Sequence, residues 1–139
     1  MQQKLTLHND ISEVPLLGEF VEQVAEQLGY NASDTMNLNL AIEEAVVNVM
    51  NYAYPEGTTG EILLEATTTD TQLVFTIKDS GTPFDPTKAD DPDTTLSVEE
   101  RPIGGLGIFL VRQLMDSVSY QYTDGCNILT LGKNYPPNP

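Results

Sequence analysis

Residues 34–53 read DTMNLNLAIEEAVVNVMNYA, which is the pattern of a long and mostly apolar helix. Its apolar side chains recur at intervals of three and four residues, which places them on one face of a helix. A narrow stripe on the other side is polar and contains Asn37, Glu44, Asn48 and Asn51. A face that is merely solvated would normally include Lys or Arg, and this stripe has no cation. The stripe is either an ordinary exposed face or the lining of a cavity.

Glu44 and Asn48 are the two residues of this stripe with the clearest chemical use. They are four positions apart, so they lie on the same face of a helix. An Asn side-chain oxygen can bind Mg²⁺, which prefers hard oxygen ligands and keeps several waters. A Glu one turn earlier can accept a proton from an attacking hydroxyl group or water.

Two further motifs follow the helix. Asp79 comes after an apolar strand pattern at residues 73–77, where it can accept a hydrogen bond from an adenine amino group; Gly81 then permits close backbone approach or a positive φ. The residues that open the next helix pattern can hold phosphate through their backbone N–H groups. They are Gly104, Gly105, Leu106 and Gly107. Each motif alone also fits a simple turn or a hinge, but in this order and spacing they predict an ATP site.

The charge of the chain limits its partners. Lys and Arg number 6 against 21 Asp and Glu, a formal net charge of -15. Such a surface repels the phosphates of nucleic acids and acidic lipids, so neither is an expected partner. A nucleotide would have to bind with a divalent cation and be held by backbone N–H groups and a helix dipole. No stretch approaches the roughly 18 apolar residues of a membrane span, and the N-terminus lacks a signal-peptide core, so we expect a cytoplasmic protein.

Single residues exclude other kinds of site. Cys126 is the one cysteine and His8 the one histidine, which excludes a disulfide framework, a Cys-based zinc site and a metal site built from several histidines within one chain. Arg101 and Lys88 are the cations of a proline-rich segment at residues 82–103. Either could reach a terminal phosphate; Lys88 is better explained as a surface charge, and for Arg101 both interpretations stay open.

The periodicities predict one α+β domain over residues 1–139. Its sheet is expected to be mixed but mostly antiparallel, in a two-layer sandwich with three main helices on one face. The segment at 82–103 has no apolar period and is predicted to be a lid. The predicted elements are a strand at 4–8, helices from Pro15 to Leu28 and from a cap at Ser33-Asp34 to about Ala53, strands at 61–68 and 72–78, a helix at 107–115, a hairpin at 117–123 and 127–131, and a frayed tail at 134–139.

Three of these stretches together resemble the motifs of the GHKL (Bergerat-fold) ATPases. Residues 44–54 resemble the N-box of that family, and residues 104–116 its second G-box with the following helix. Residues 79–86 resemble the first G-box, with a Pro-Phe-Asp-Pro extension typical of the small anti-sigma factor serine-protein kinases of bacteria. The resemblance to this subgroup covers nearly the whole chain.

The resemblance implies a role for each motif residue. Glu44 would be the general base, Asn48 the Mg²⁺ ligand, and Asn51 a neighbour of the phosphates. Asp79 would bind the adenine, with Gly81 beside it. The phosphates would be capped by Gly104, Gly105, Leu106 and Gly107, with Arg101 as a further candidate contact. The implied reaction is transfer of the ATP γ-phosphate to a serine of an anti-anti-sigma partner, a STAS-domain protein, by a kinase that otherwise holds a sigma factor inactive and commonly forms homodimers.

The chain departs from the family pattern in three respects. Tyr52 stands where His is common, and Asn127 stands where a Thr often supports the adenine-binding Asp; both changes could retune nucleotide affinity. The chain is also more acidic than expected of a protein that binds a sigma factor, which leaves the partner's identity open. One alternative is a non-catalytic module on the same fold that binds a partner in response to nucleotide. Another is a detached catalytic domain of a histidine kinase, against which the Pro-Phe-Asp-Pro segment and the missing His-bearing helix argue.

Overall fold

The computed structural model describes residues 1–88 and 105–136. Arg101, Gly104, most of the predicted lid and the last three residues lie outside this part of the chain, as do the side chains of Lys88 and Leu106. The order of elements is the predicted one, and two short 3-10 helices, Ile11–Glu13 and Pro86–Lys88, are added to it. The helices and strands are β1 (Gln2–His8), α1 (Val14–Gln27), α2 (Ala32–Tyr52), β2 (Glu61–Thr68), β3 (Gln72–Asp79), α3 (Gly105–Leu114), β4 (Ser117–Thr123) and β5 (Cys126–Asn134).

The five strands form one sheet in the order β1-β2-β3-β5-β4. Each neighbouring pair is antiparallel, so the described strands contain no parallel pair. Alternate residues of β2 and β3 are buried against the helices, as period-2 patterns require. The predicted α+β class is confirmed. The register of β3 on β5 places Asp79 directly opposite Asn127, which decides the arrangement of the site.

The helices complete the core. Buried side chains of α1 and α2 recur at helical spacing and join the buried face of the sheet in one hydrophobic cluster. The predicted cap of α2 at Ser33-Asp34 was wrong. Asn31 is the N-cap instead: its backbone is extended, and its side-chain oxygen accepts a hydrogen bond of 2.7 Å from the N–H of Asp34. No helix in the described part of the chain is long and apolar enough to span a membrane.

The C-terminal end of β5 extends further than predicted. It continues to Asn134, so the frayed tail does not begin there. The Tyr30 hydroxyl donates to the Asn134 carbonyl at 2.9 Å, and the Tyr135 N–H donates to the Thr71 carbonyl at 3.2 Å. Burial raises the pKa of Tyr30 to about 12, so this hydroxyl remains a donor at neutral pH. These partners are far away in sequence, which is why a local pattern missed them.

Candidate active site

A pocket, partly open to solvent, lies between α2, α3 and the sheet. Its lining is mostly apolar, with polar groups supplied by Glu44, Asn48, Asp79, Tyr120 and Asn127. A second cavity adjoins it and shares Glu44, Asn48 and Gly107 with it. An apolar pocket with a few converging polar groups beside a more polar cavity is the form expected of a small-molecule site.

The fold brings five of the ten predicted site residues to this cleft. Glu44, Asn48 and Gly107 line both cavities, and Asn51 lines the second one. Gly107 lies in the first turn of α3, where a Cβ atom would be 3.4 Å from Glu44 Oε2. Three of the four residues of the polar stripe, Glu44, Asn48 and Asn51, therefore face a cavity, whereas Asn37 lines neither of the two.

Asp79 is a buried carboxylate with one oxygen satisfied. Its side chain is 4% exposed. Oδ1 accepts hydrogen bonds from the Gly81 N–H at 2.8 Å and from Asn127 Nδ2 at 2.9 Å. Oδ2 has no hydrogen-bond donor among residues 1–88 and 105–136. Because an unsatisfied buried acceptor is unfavourable, this oxygen fits a ligand that brings its own donor, such as an amino group.

Comparison with known proteins gives the family. The sequence profile of the histidine kinase-like ATPase domain matches residues 7–133. The chain belongs to the histidine kinase-like ATPase family. The predicted GHKL resemblance is thereby confirmed.

Curated relatives of this ATPase domain include two bacterial kinases. The serine/threonine-protein kinase BtrW of Bordetella bronchiseptica is 32% identical over 118 residues, which is 85% of this chain and 83% of that protein. The serine-protein kinase RsbW of Listeria monocytogenes is 29% identical over 136 residues, 89% of this chain and 87% of that protein. Both relatives are named as protein serine or serine/threonine kinases. This is the enzyme class that the sequence predicted.

Two solved structures share the fold of this ATPase domain. A structure of the RsbU and RsbW domains of a Mycobacterium tuberculosis protein has a TM-score of 0.69 and 17% identity, and the match covers 99% of this chain and 33% of that one. A histidine kinase domain from Erythrobacter litoralis has a TM-score of 0.54 and 17% identity, covering 86% and 63% of the two chains. At these identities the likeness concerns the fold alone.

Gly81 of this ATPase domain serves packing as well as hydrogen bonding. It lines neither of the two cavities, and its φ is not positive. A Cβ atom at this position would lie 2.1 Å from the Ala53 carbonyl oxygen, to which the Thr82 N–H donates at 2.7 Å. Glycine is therefore required where the loop after β3 crosses the C-terminal end of α2.

Three aromatic residues at the site were not singled out from the sequence. Phe84 and Tyr120 line the pocket. Phe84 belongs to the Pro-Phe-Asp-Pro segment. Tyr120 lies two positions after the partly buried Val118 on β4. Because side chains alternate along a strand, this spacing indicated that Tyr120 lies on the same face of the sheet as Val118. The third is Tyr54, whose hydroxyl donates to the Glu61 carbonyl at 2.6 Å and accepts from the Ser80 N–H at 3.0 Å.

Tyr54 connects the beginning of β2 to the motif after β3. Its ring packs so closely on Gly60 that a Cβ atom there would lie 2.3 Å from the ring. Burial raises the pKa of Tyr54 above its ordinary value, which keeps its hydroxyl protonated and able to donate. No local sequence pattern identifies this bridge, because one partner, Glu61, begins β2 and the other, Ser80, follows β3.

We expect Tyr54→Phe to lower the free energy of unfolding by about 1–2 kcal/mol, because it removes two hydrogen bonds and keeps the ring. Urea denaturation measures the change. Tyr52→Phe is the matched control, since Tyr52 is exposed and its hydroxyl has no hydrogen bond in the described residues; a shift below about 0.5 kcal/mol is expected. Equal stabilities of the two variants would contradict a bridging role for Tyr54.

Proposed function

We propose that this chain is a Mg²⁺-dependent protein serine/threonine kinase of the anti-sigma factor type, which uses ATP to phosphorylate an anti-anti-sigma (STAS) partner and otherwise sequesters a sigma factor. One observation carries the proposal: a single pocket is lined by Asp79, which fits an amino group of a base, and by Glu44, which fits a proton acceptor. The names of the curated relatives support serine as the acceptor. The STAS partner, the sigma factor, a homodimer and a cytoplasmic location rest on the family resemblance.

In the proposal, adenine occupies the first, mostly apolar pocket. In the proposal, Asp79 Oδ2 accepts a hydrogen bond from the 6-amino group, and apolar side chains such as Ile77, Val111 and Leu129 contact the planar ring. The triphosphate extends toward the adjoining cavity that Asn51 lines. The N–H groups of the first turn of α3 have no partner within the helix and suit phosphate oxygens. The roles of all these residues remain predictions, as do those of Arg101, Gly104, Gly105 and Leu106.

Asn48 fits Mg²⁺ as one protein ligand among phosphate oxygens and waters. The described residues contain no group of three or more His, Cys, Asp or Glu side chains that could hold a metal ion. Mg²⁺ is commonly held by one or two protein ligands together with substrate phosphates, so a single carboxamide oxygen is sufficient. When bound, the ion would neutralise charge on the phosphates, which matters in a chain of net charge -15.

Glu44 is the residue that would move a proton. Its carboxylate has no hydrogen bond or ion pair to any residue in 1–88 or 105–136, so both oxygens are available to accept. As the serine Oγ of the partner bonds to the γ-phosphorus, Glu44 takes the hydroxyl proton, the bond to the β,γ-bridging oxygen breaks and ADP leaves. Asp79 and Asn51 would take part only by holding the nucleotide.

Calorimetric titration with ATP tests the nucleotide site. We expect binding in the presence of Mg²⁺ and weaker binding in EDTA. Asp79→Asn is expected to reduce the affinity roughly 10- to 100-fold, because it replaces a charged acceptor by a neutral one. Asp70→Asn makes the same change of charge on an exposed aspartate of the β2–β3 turn and should leave the affinity unchanged. If the wild type binds no ATP, the site is degenerate and the chain is better described as an interaction module.

A further inference from the structure

An open groove lies between α1 and α2, apart from the nucleotide cleft. It is formed by the second half of α1, the turn that follows and the beginning of α2, and its lining includes Glu22, Glu26, Thr35 and Met36. None of its lining residues lines either cavity of the cleft. The α1–α2 groove is therefore a separate surface of the molecule.

The α2 side of the groove exposes apolar side chains. Met36 is 68% exposed, and Leu40 is 40% exposed. The two are four positions apart, so they lie on the same side of the helix and form one apolar strip. A methionine side chain is flexible and polarisable, and it adapts to irregular apolar surfaces of a partner. This strip is the part of the groove that a partner could cover with a gain from burial.

The α1 side of the groove carries acidic charge. Glu19, Glu22 and Glu26 are spaced by three and four residues, so they form a stripe along one side of the helix. All three are exposed, and none has an ion pair or hydrogen bond with another residue of 1–88 or 105–136. Like charges at this spacing disfavour a helix, so the stripe does not serve the stability of α1.

No cation of the two helices balances this stripe. Residues 9–60, which include α1 and α2, contain nine acidic residues and neither Lys nor Arg. Lys4, Lys78 and Lys133 lie on strands and Arg112 lies on α3. A solvated pair of helices would normally mix Lys with Glu on its outer faces. The groove therefore combines an apolar strip with a charge that attracts cationic partners.

We propose that the α1–α2 groove binds an amphipathic helix of a partner protein, one that carries Lys or Arg beside an apolar stripe. Its apolar side contacts Met36 and Leu40, and its cations pair with Glu22 and Glu26. Charge complementarity selects this occupant: a second copy of the chain would bring an equally acidic pair of helices, and nucleic acid or acidic lipid would be repelled. The surface and its partner go beyond the proposed kinase activity and do not depend on it.

The probe for this proposal is a synthetic peptide of Leu and Lys in which Leu recurs at i, i+3, i+4 and i+7, which gives a helix with an apolar and a cationic face. Fluorescence anisotropy of the labelled peptide measures its dissociation constant with the full chain. Physiological salt screens distant charges, and nucleotide is left out so that the result is independent of the ATP site. A peptide of the same composition with Leu and Lys in strict alternation has no apolar helical face, and we expect it to bind roughly tenfold more weakly or worse.

Variants of the apolar strip locate the peptide on the groove. Met36→Gln combined with Leu40→Gln is expected to weaken binding roughly tenfold or more, because two apolar contacts are lost. Ile11→Gln combined with Leu16→Gln is the matched control, since both residues are exposed and neither lines the groove; its affinity should stay within about twofold of the wild type. Glutamine is a good helix former, so α1 and α2 remain intact.

Variants of the acidic stripe test the charge. Glu22→Gln combined with Glu26→Gln is expected to weaken peptide binding roughly tenfold and to reduce its dependence on salt. Glu56→Gln combined with Glu61→Gln removes the same charge from exposed residues outside the groove, and its affinity should stay within about twofold of the wild type.

Several results would overturn the proposal. Equal losses in the groove variants and their controls would mean that the peptide is attracted by the net charge of the chain alone. Equal binding of the alternating peptide would mean that the partner is not a helix, and absence of binding to the wild type would mean that the groove has no such partner. A dimer in sedimentation velocity that Met36→Gln with Leu40→Gln dissociates would show that a second copy covers the groove.

Discussion

Glu44→Gln is expected to reduce phosphate transfer to a STAS-domain acceptor by roughly 10²- to 10⁴-fold while ATP affinity stays within about twofold of the wild type. The substitution keeps the shape of the side chain and removes its ability to accept a proton at neutral pH. Glu44 lines both cavities of the cleft, and no contact in the described part of the chain depends on its charge. The expected loss is therefore in the chemical step and not in binding or folding.

Transfer of ³²P from γ-labelled ATP to the acceptor measures this prediction, with an ATP titration of each variant in parallel. Glu43→Gln is the matched control: it lies next to Glu44 on α2, carries the same charge and lines neither cavity. We expect it to retain transfer. Equal transfer by Glu44→Gln and the wild type would contradict the role of general base. A wild type that binds ATP but transfers no phosphate would favour the non-catalytic interaction module.

Gly81→Ala is expected to lower the free energy of unfolding by about 3 kcal/mol and to abolish measurable ATP binding. A methyl group there would lie 2.1 Å from the Ala53 carbonyl oxygen, which belongs to backbone and cannot turn aside. Overpacking of this kind costs about 1–3 kcal/mol, and the displaced Thr82–Ala53 hydrogen bond adds about 1 kcal/mol. Moving the loop also withdraws the Gly81 N–H from Asp79, which disturbs the adenine contact.

Urea denaturation and ATP titration measure both parts of the prediction for Gly81. Gly18→Ala is the same substitution on α1, where the added Cβ would lie 3.6 Å from Asn39, an ordinary contact. It should raise stability by about 0.5–1 kcal/mol, because alanine is the better helix former. If Gly81→Ala is as stable as the wild type, the loop after β3 does not need to lie against the end of α2.

The helices and strands could be predicted well because each has its own period. β2 and β4 have the predicted bounds. The polar stripe of α2 could be recognised because polar residues at helical spacing interrupt an otherwise apolar pattern. Two ends were predicted wrongly for different reasons. The cap of α2 is a local contact between Asn31 and the Asp34 N–H, and it was missed because the neighbouring Ser33 and Asp34 are also good capping residues. The end of β5 at Asn134 depends on a distant partner, since the Tyr30 hydroxyl bonds to its carbonyl group.

The sequence by itself determined the order of elements, the family and the residue types of the site, since these depend on spacing along a single helix or strand. Only the tertiary structure decided which of those residues meet. Asp79 and Asn127 are 48 positions apart and become neighbours through the register of β3 on β5. Gly81 likewise meets Ala53 only because the loop crosses the end of α2. Contacts of this kind depend on strand register and on the distance between backbones, and neither quantity has a local pattern that a sequence can display.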